Sequence, residues 1–349
     1  MVAPDVQAEP GAARDRAVAA WLYACAALVA AMVVVGGLTR LTRSGLSIVE
    51  WRPLTGVLPP IGDAAWREEF ARYQTSPEFR LVNRDMGLDA FRSIFWVEWA
   101  HRLLGRVVGV VFFVPLVLFA ARRRITRRQV AAWLGLFALG AVQGAVGWYM
   151  VASGLVDEPH VSPYRLTLHL LVAIALFALL LWGALDASLE RAAGVASLRA
   201  AARAAVAVVA TTIAWGGLMA GHHAGLAAPT FPTMNGRWVP VGLFAHAASD
   251  ALADPLSVHF VHRLLAYASA AAVLAVAALA LRAGTPPRAR AAAVAAVLLV
   301  ALQVALGAAT VLALVPVALA SLHQANAVLL LAATLVVLHA VARPSAARG

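Results

Sequence analysis

The sequence predicts an all-α integral membrane protein: eight transmembrane helices arranged as two pseudo-symmetric four-helix bundles. Three observations predict it, namely the composition, eight long apolar runs and an internal repeat. Of 349 residues, 62% are apolar and 13% charged, against roughly 45–50% and about 25% in soluble domains. Mean hydropathy is +0.81, an excess that no water-soluble core can hide. Long unbroken runs exclude disorder and also a β-barrel, whose short strands would alternate in polarity. The single cysteine, Cys25, lies in the first apolar run, so an intramolecular disulfide is excluded.

The runs cover residues 17–38, 94–121, 130–151, 166–185, 204–221, 258–281, 291–312 and 317–341. Each meets the roughly 20 residues needed to cross hydrocarbon. Pro115 falls inside the second and is expected to kink it. The polar tail before the first run, and the length of that run, speak against a cleavable signal peptide.

Net charge is +11, and every basic residue is arginine. In a soluble chain this balance would suggest nucleic acid. Here the arginines gather in short loops, which is a topology signal and not a nucleic-acid footprint. Arg14, Arg16, Arg122–Arg124, Arg127, Arg128, Arg191, Arg199, Arg203, Arg282, Arg288, Arg290, Arg343 and Arg348 fall on one side. Both termini are therefore expected in the cytoplasm, with residues 39–93 and 222–257 outside. Even-numbered spans then run inward.

The two halves resemble each other. HRLL occurs at His101 and again at His262, offset by 161 residues. Gln143 and Gly147 recur as Gln303 and Gly307, offset by 160; His169 recurs as His323, offset by 154; Gly36-Gly37 recurs as Gly216-Gly217, offset by 180. Four pairs in one order predict a duplicated four-helix unit, with halves at 1–190 and 191–349 and parallel orientation.

His101, His169, His262 and His323 each open an even-numbered span, two per half. Paired imidazoles projecting into a helical bundle suit axial ligation of haem iron. They supply neutral donors without carrying charge into hydrocarbon. Zinc fits less well, because two histidines per half and no cysteine cannot close a tetrahedral site. The plain alternative for any one of them is a packed, hydrogen-bonded core histidine.

Glu98 lies three residues before His101 and shares its helical face, whereas His259 takes the equivalent place in the second half. A carboxylate in one half only points to a proton acceptor or a stabiliser of developing positive charge. The structural alternative is a helix-start residue paired with Arg102. Arg102, Arg165 and Arg263 stand beside the histidines on the outer side, suited to haem propionates or to positioning, or else to snorkelling. Trp96, Trp99, Trp148 and Tyr149 read as an interfacial belt. His160, His246 and His339 carry no clear role. The adjacent His222-His223 pair diverges on any helix and does not suit a shared metal.

Several blocks resemble the haem A synthase family. They are GGLTRLTRSGLSIVEWRPLTGVLPP (36–60), IFWVEWAHRLLGR (94–106), QGAVGWYMVASGL (143–155), RLTLHL (165–170), FPTMNGRWVP (231–240), HFVHR (259–263) and LHQANA (322–327). The resemblance implies oxidation of a haem O methyl to the formyl of haem A by successive hydroxylations. His101 and His169 would frame the haem O substrate with Glu98 catalytic, and His262 and His323 would hold a haem b cofactor. It also implies a bacterial inner membrane, an unidentified electron donor, and haem O synthase and terminal-oxidase assembly factors as partners. Without the loop cysteine pair of one branch, the chain is closer to the proteobacterial and mitochondrial type. AGHHAG (220–225) departs from the family pattern.

Three other readings fit the sequence less well. A bis-His dihaem electron-transfer protein shares fold and ligands but gains little from a one-sided Glu98. A secondary transporter would want polar groups at mid-membrane, which the apolar spans lack. Haem prenylation would need an aspartate-rich diphosphate motif, and none occurs.

Overall fold

A computed structural model describes residues 15–52, 55–245, 247–282 and 284–344. Arg14, His246 and Arg348 lie outside the described residues. α1 (Arg16–Leu41) starts where the Asp15 carboxylate accepts from the amides of Ala17 and Val18, satisfying donors the first turn cannot. α2 (Gly62–Gln74) and the short α3 (Pro77–Leu81) follow in the first long loop. α4 (Leu88–Ala121) runs 34 residues, through Pro115. A Thr126–Gln129 capping box opens α5 (Arg127–Ala152), and Ser162 caps α6 (Pro163–Ser188). Then come the two-residue β1 (Ala193–Gly194), α7 (Ala196–Gly221), and α8 (Asp250–Ala253) in the second long loop. α9 (Pro255–Ala280), capped by Asp254, leads to α10 (Pro287–Leu312) and α11 (Val317–Ala340). β2 (Arg343–Pro344) pairs in parallel with β1.

Eight of these helices, α1, α4, α5, α6, α7, α9, α10 and α11, are long and apolar enough to cross a membrane. The chain is an all-helical multi-pass membrane protein. Each apolar run sits inside one such helix or overlaps it closely, but several helices are longer than their runs. α4 begins at Leu88, six residues before the apolar run, and α7 at Ala196, eight before it. Hydropathy marks the hydrocarbon, whereas the backbone ladder continues through polar residues into the interface. His101 consequently sits about four turns into its helix, while His169 and His323 sit about two turns into theirs. The first long loop is also more structured than a linker, because Trp66, Tyr73, Phe91 and Phe95 form a buried aromatic cluster there.

α1 packs on α4 and α6, and α7 on α9 and α11; α5 meets α4 and α6, and α10 meets α9 and α11. The two groups join along α6–α7, α1–α11 and α6–α11. A single buried cluster crosses that seam, from Leu22 and Cys25 of α1 through Leu180 and Ala184 of α6 to Leu331 of α11. A second cluster is almost wholly alanine and valine, including Ala202, Ala205, Ala280, Ala289, Ala293 and Ala340. Lipid tails are as apolar as the side chains, so close backbone approach through small residues supplies the packing energy that water would otherwise supply.

Candidate functional site

Each of the four histidines faces a glycine on a neighbouring helix. A Cβ on Gly36 of α1 would lie 3.1 Å from Cε1 of His101, and one on Gly147 of α5 would lie 2.8 Å from Cε1 of His169. In the second half, Gly216 of α7 stands 3.7 Å from His262 Cε1 by the same measure, and Gly307 of α10 stands 3.0 Å from His323 Cε1. A methyl group at most of these positions would push on the ring, so glycine is what lets the imidazole lie against the backbone. The Nδ1 atoms of all four rings are buried without a hydrogen-bond partner among the described residues. Buried nitrogens without partners are rare unless something other than protein satisfies the ring. His101 lies within electrostatic reach of His169, and His262 within reach of His323. Two pairs of imidazoles within electrostatic reach of each other, each ring lying against a glycine, are a donor set that fits haem iron.

Glutamines hold one ring of each pair. Gln143 Nε2 lies 3.3 Å from His169 Nε2 and donates to the His169 carbonyl at 3.0 Å. Gln303 does the same for His323, at 3.3 and 3.1 Å. An amide N–H against Nε2 makes that nitrogen a lone-pair acceptor, so the ring is in its neutral form; a metal at the same lone pair would take the place of the amide.

Glu98 is 2% exposed. One oxygen accepts from the Ser47 hydroxyl at 2.7 Å and the Ile48 amide at 2.8 Å. The other accepts from Arg102 Nε and Nη2, at 3.0 and 2.7 Å. A buried carboxylate with four donors, two of them charged, is held in place and kept compensated. Arg102 also reaches the Ile48 and Glu50 carbonyls, so its guanidinium binds the first outer loop to α4. Glu78, 3% exposed in α3, accepts from the Tyr73 hydroxyl at 3.4 Å. Burial, reinforced by the nearby Glu98 charge, pushes the Glu78 carboxyl up to about 7.

In the second half Arg263 Nε donates to His259 Nε2 at 3.0 Å. Its other nitrogens reach the carbonyls of Ala228, Thr230, Pro232 and Thr233. Arg263 thus fastens the second outer loop to α9 as Arg102 fastens the first to α4. Arg165 lies 3.7 Å over the Tyr149 ring and donates to the Tyr149 carbonyl. Trp148 stacks on Trp51. His222 and His223 separate, the first to the Leu252 carbonyl and the second to Arg40. Burial and the Arg40 charge push His223 down to about 4. His339 is fully buried at the far end of α11, bonded to Asp186.

The facing glycines, the loop donors to Glu98, Asn326 and Glu78 escape a reading of the sequence. The repeated Gln-x-x-x-Gly spacing at 143–147 and 303–307 and the repeated Gly-Gly pairs at 36–37 and 216–217 marked the glycines without saying which ring each one faces.

Comparison with known proteins agrees over nearly the whole chain. The family model COX15-CtaA, described as cytochrome oxidase assembly protein, matches residues 19–335. A heme A synthase of Nitrosospira multiformis is 44% identical over 339 residues, covering 94% of each chain. One of Caulobacter sp. strain K31 is 47% identical, covering 95% of this chain and 98% of that one. One of Azorhizobium caulinodans is 45% identical, covering 94% and 95%. With this match joined to the paired histidines and the buried Glu98, the chain belongs to the COX15-CtaA family of cytochrome oxidase assembly proteins.

Proposed function

We propose that this chain is a haem A synthase, a membrane oxidoreductase that converts the methyl group of haem O to the formyl group of haem A. The observation that carries the reading is the asymmetry at one helical position: buried Glu98, fully hydrogen-bonded, three residues before His101, against His259 three residues before His262. In this reading residues 1–190 form the substrate half and residues 191–349 the cofactor half. His101 and His169 frame haem O. His262 and His323 hold haem b, which when bound supplies one-electron chemistry. The fit rests on the four buried Nδ1 atoms that have no hydrogen-bond partner among the described residues, and on the glycines the rings lie against.

The chain's own residues then divide the work. Gln143 and Gln303 orient one imidazole in each pair. The Ser47 hydroxyl, the Ile48 amide and Arg102 fix Glu98 on the outer side of the His101 helix, where its carboxylate stabilises positive charge developing at the reacting methyl or accepts its proton. Arg102 and Arg263 act as positioning residues through the loops they fasten, and Arg165 anchors the outer end of α6. The packed bundle excludes water, which strengthens each of these interactions. The termini lie in the cytoplasm of a bacterial inner membrane. Haem O synthase supplies the substrate and terminal-oxidase assembly factors take the product; because methyl to formyl is a net oxidation, an external oxidant must accept the electrons removed, and a separate donor supplies any electrons needed to activate that oxidant.

The test is extraction and mass analysis of the haems that copurify with the full chain and with Glu98→Gln. Haem O or a hydroxylated haem in the variant, with haem b retained, is the expected result. Unchanged haem A production by Glu98→Gln would favour a dihaem electron carrier instead.

A further inference from the structure

The two glutamine cradles differ in one atom. In the second half Gln303 Oε1 accepts from Asn326 Nδ2 at 2.6 Å, and Asn326 also donates to the Leu299 carbonyl. In the first half Gln143 Oε1 is buried with no partner among the described residues. The sequence shows why. The offset of 154 residues that relates His169 to His323 relates Val172 to Asn326, so the first half has an isopropyl group where the second has an amide. The Gln143 orientation is fixed independently, because its Nε2 donates to the His169 carbonyl and only the nitrogen end can do so. In the second half the free acceptor is instead Asn326 Oδ1, one side chain further from the imidazole.

A buried amide oxygen without a donor is costly, on the order of 1–3 kcal/mol. The first half keeps this oxygen on the same amide that touches the His169 ring. Resting on the assignment of the first half to haem O, we infer that Gln143 Oε1 accepts a hydrogen bond from a hydroxyl of that substrate and so selects haem O over haem b. Haem O carries a hydroxyethylfarnesyl group where haem b carries a vinyl, so only haem O brings a donor. Haem b in the second half needs no acceptor beside its ligand, and there the glutamine is satisfied by protein. Sites built to hydrogen-bond a hydroxyl discriminate strongly against the analogue that lacks it, because the site's polar atom is then left unpaired.

The experiment uses the full chain in lipid nanodiscs, with haems extracted and quantified, in a Glu98→Gln background that accumulates substrate. Val172→Asn supplies Gln143 Oε1 with the partner that Gln303 already has, while leaving the Gln143 contacts to His169 in place. It should lower retained haem O about tenfold, the scale of one buried hydrogen bond, with haem b unchanged as proof of folding. Val172→Ala should keep haem O. A haem O to haem b ratio unmoved by Val172→Asn would overturn the inference while leaving the synthase reading intact. Loss of haem O from His323→Ala, with retention in His169→Ala, would overturn both, since the substrate would then sit in the other half.

Discussion

The two halves present the same imidazole cradle around different neighbours. In each, a glycine lies against each of two histidines, a glutamine holds one ring and an arginine fastens the outer loop to the helix. In the first half that arginine pairs with a buried carboxylate; in the second it donates to a neutral histidine. The glutamine is free to accept in the first half and occupied by Asn326 in the second. In the proposed reading, the two halves share the groups that would hold a ring and differ in the groups beside it. Holding a flat macrocycle asks for shape and two donors, which the proposal assigns to both halves; reacting with one asks for charge and an acceptor, which it assigns to the first half.

The contrast is most open to attack at Glu98. Glu98→Gln should lower haem A formation by about 10²–10⁴-fold, the span expected of general acid–base or charge-stabilising groups, while His259→Gln should leave it within about tenfold; extracted haems measured by mass read both. The arginines come next. Arg102→Leu leaves Glu98 buried without its cation and should destabilise by about 3–5 kcal/mol. Arg263→Leu removes only bonds to neutral groups and should cost about 1–3 kcal/mol. Thermal unfolding in nanodiscs measures the gap, and equal losses would break the comparison. Then the cradles: Gly307→Leu should displace His323 and weaken haem b binding about 10–100-fold, read from the reduced spectrum. Gly147→Leu should spare haem b and reduce bound haem O instead.

The smallest effect is a pH dependence confined to the loop over the first half. Glu78 titrates in the folded protein near 7, above its ordinary 4.5. The folded state therefore holds this proton more tightly than the unfolded chain. Its contribution is present in full below about 4.5 and is lost as pH rises through about 7. Glu78→Gln should flatten the decline in unfolding temperature between about pH 5 and pH 8; an unchanged slope would remove Glu78 from that account.

Much of this was legible because it is local. Eight apolar runs fall within or closely over eight long helices, since one helix must satisfy its own backbone in lipid and 20 residues suffice. The histidines, Glu98 and its offset partner His259 could be found by aligning the halves. Helix ends were less legible, as the six extra residues at the start of α4 show, because polarity reports the membrane edge and not the end of the hydrogen-bond ladder. Glu78 gave no signal, since a short loop helix buries it against Tyr73 only once α2 and α3 fold together.

By itself the sequence determined the number of spans, the helices that carry imidazoles and the half that carries the acid. These follow from composition and from spacing along one chain. Only the tertiary structure decided which glycine faces which ring, that Ser47 and Ile48 hold Glu98, and that Gln324, beside His323, reaches across to the Val33 carbonyl at 2.8 Å and lies on Gly37. Those contacts join residues from tens to hundreds of positions apart, and their geometry depends on how helices are rotated and set against each other. No periodicity within a single helix encodes that rotation; the packing of small residues across the seam fixes it.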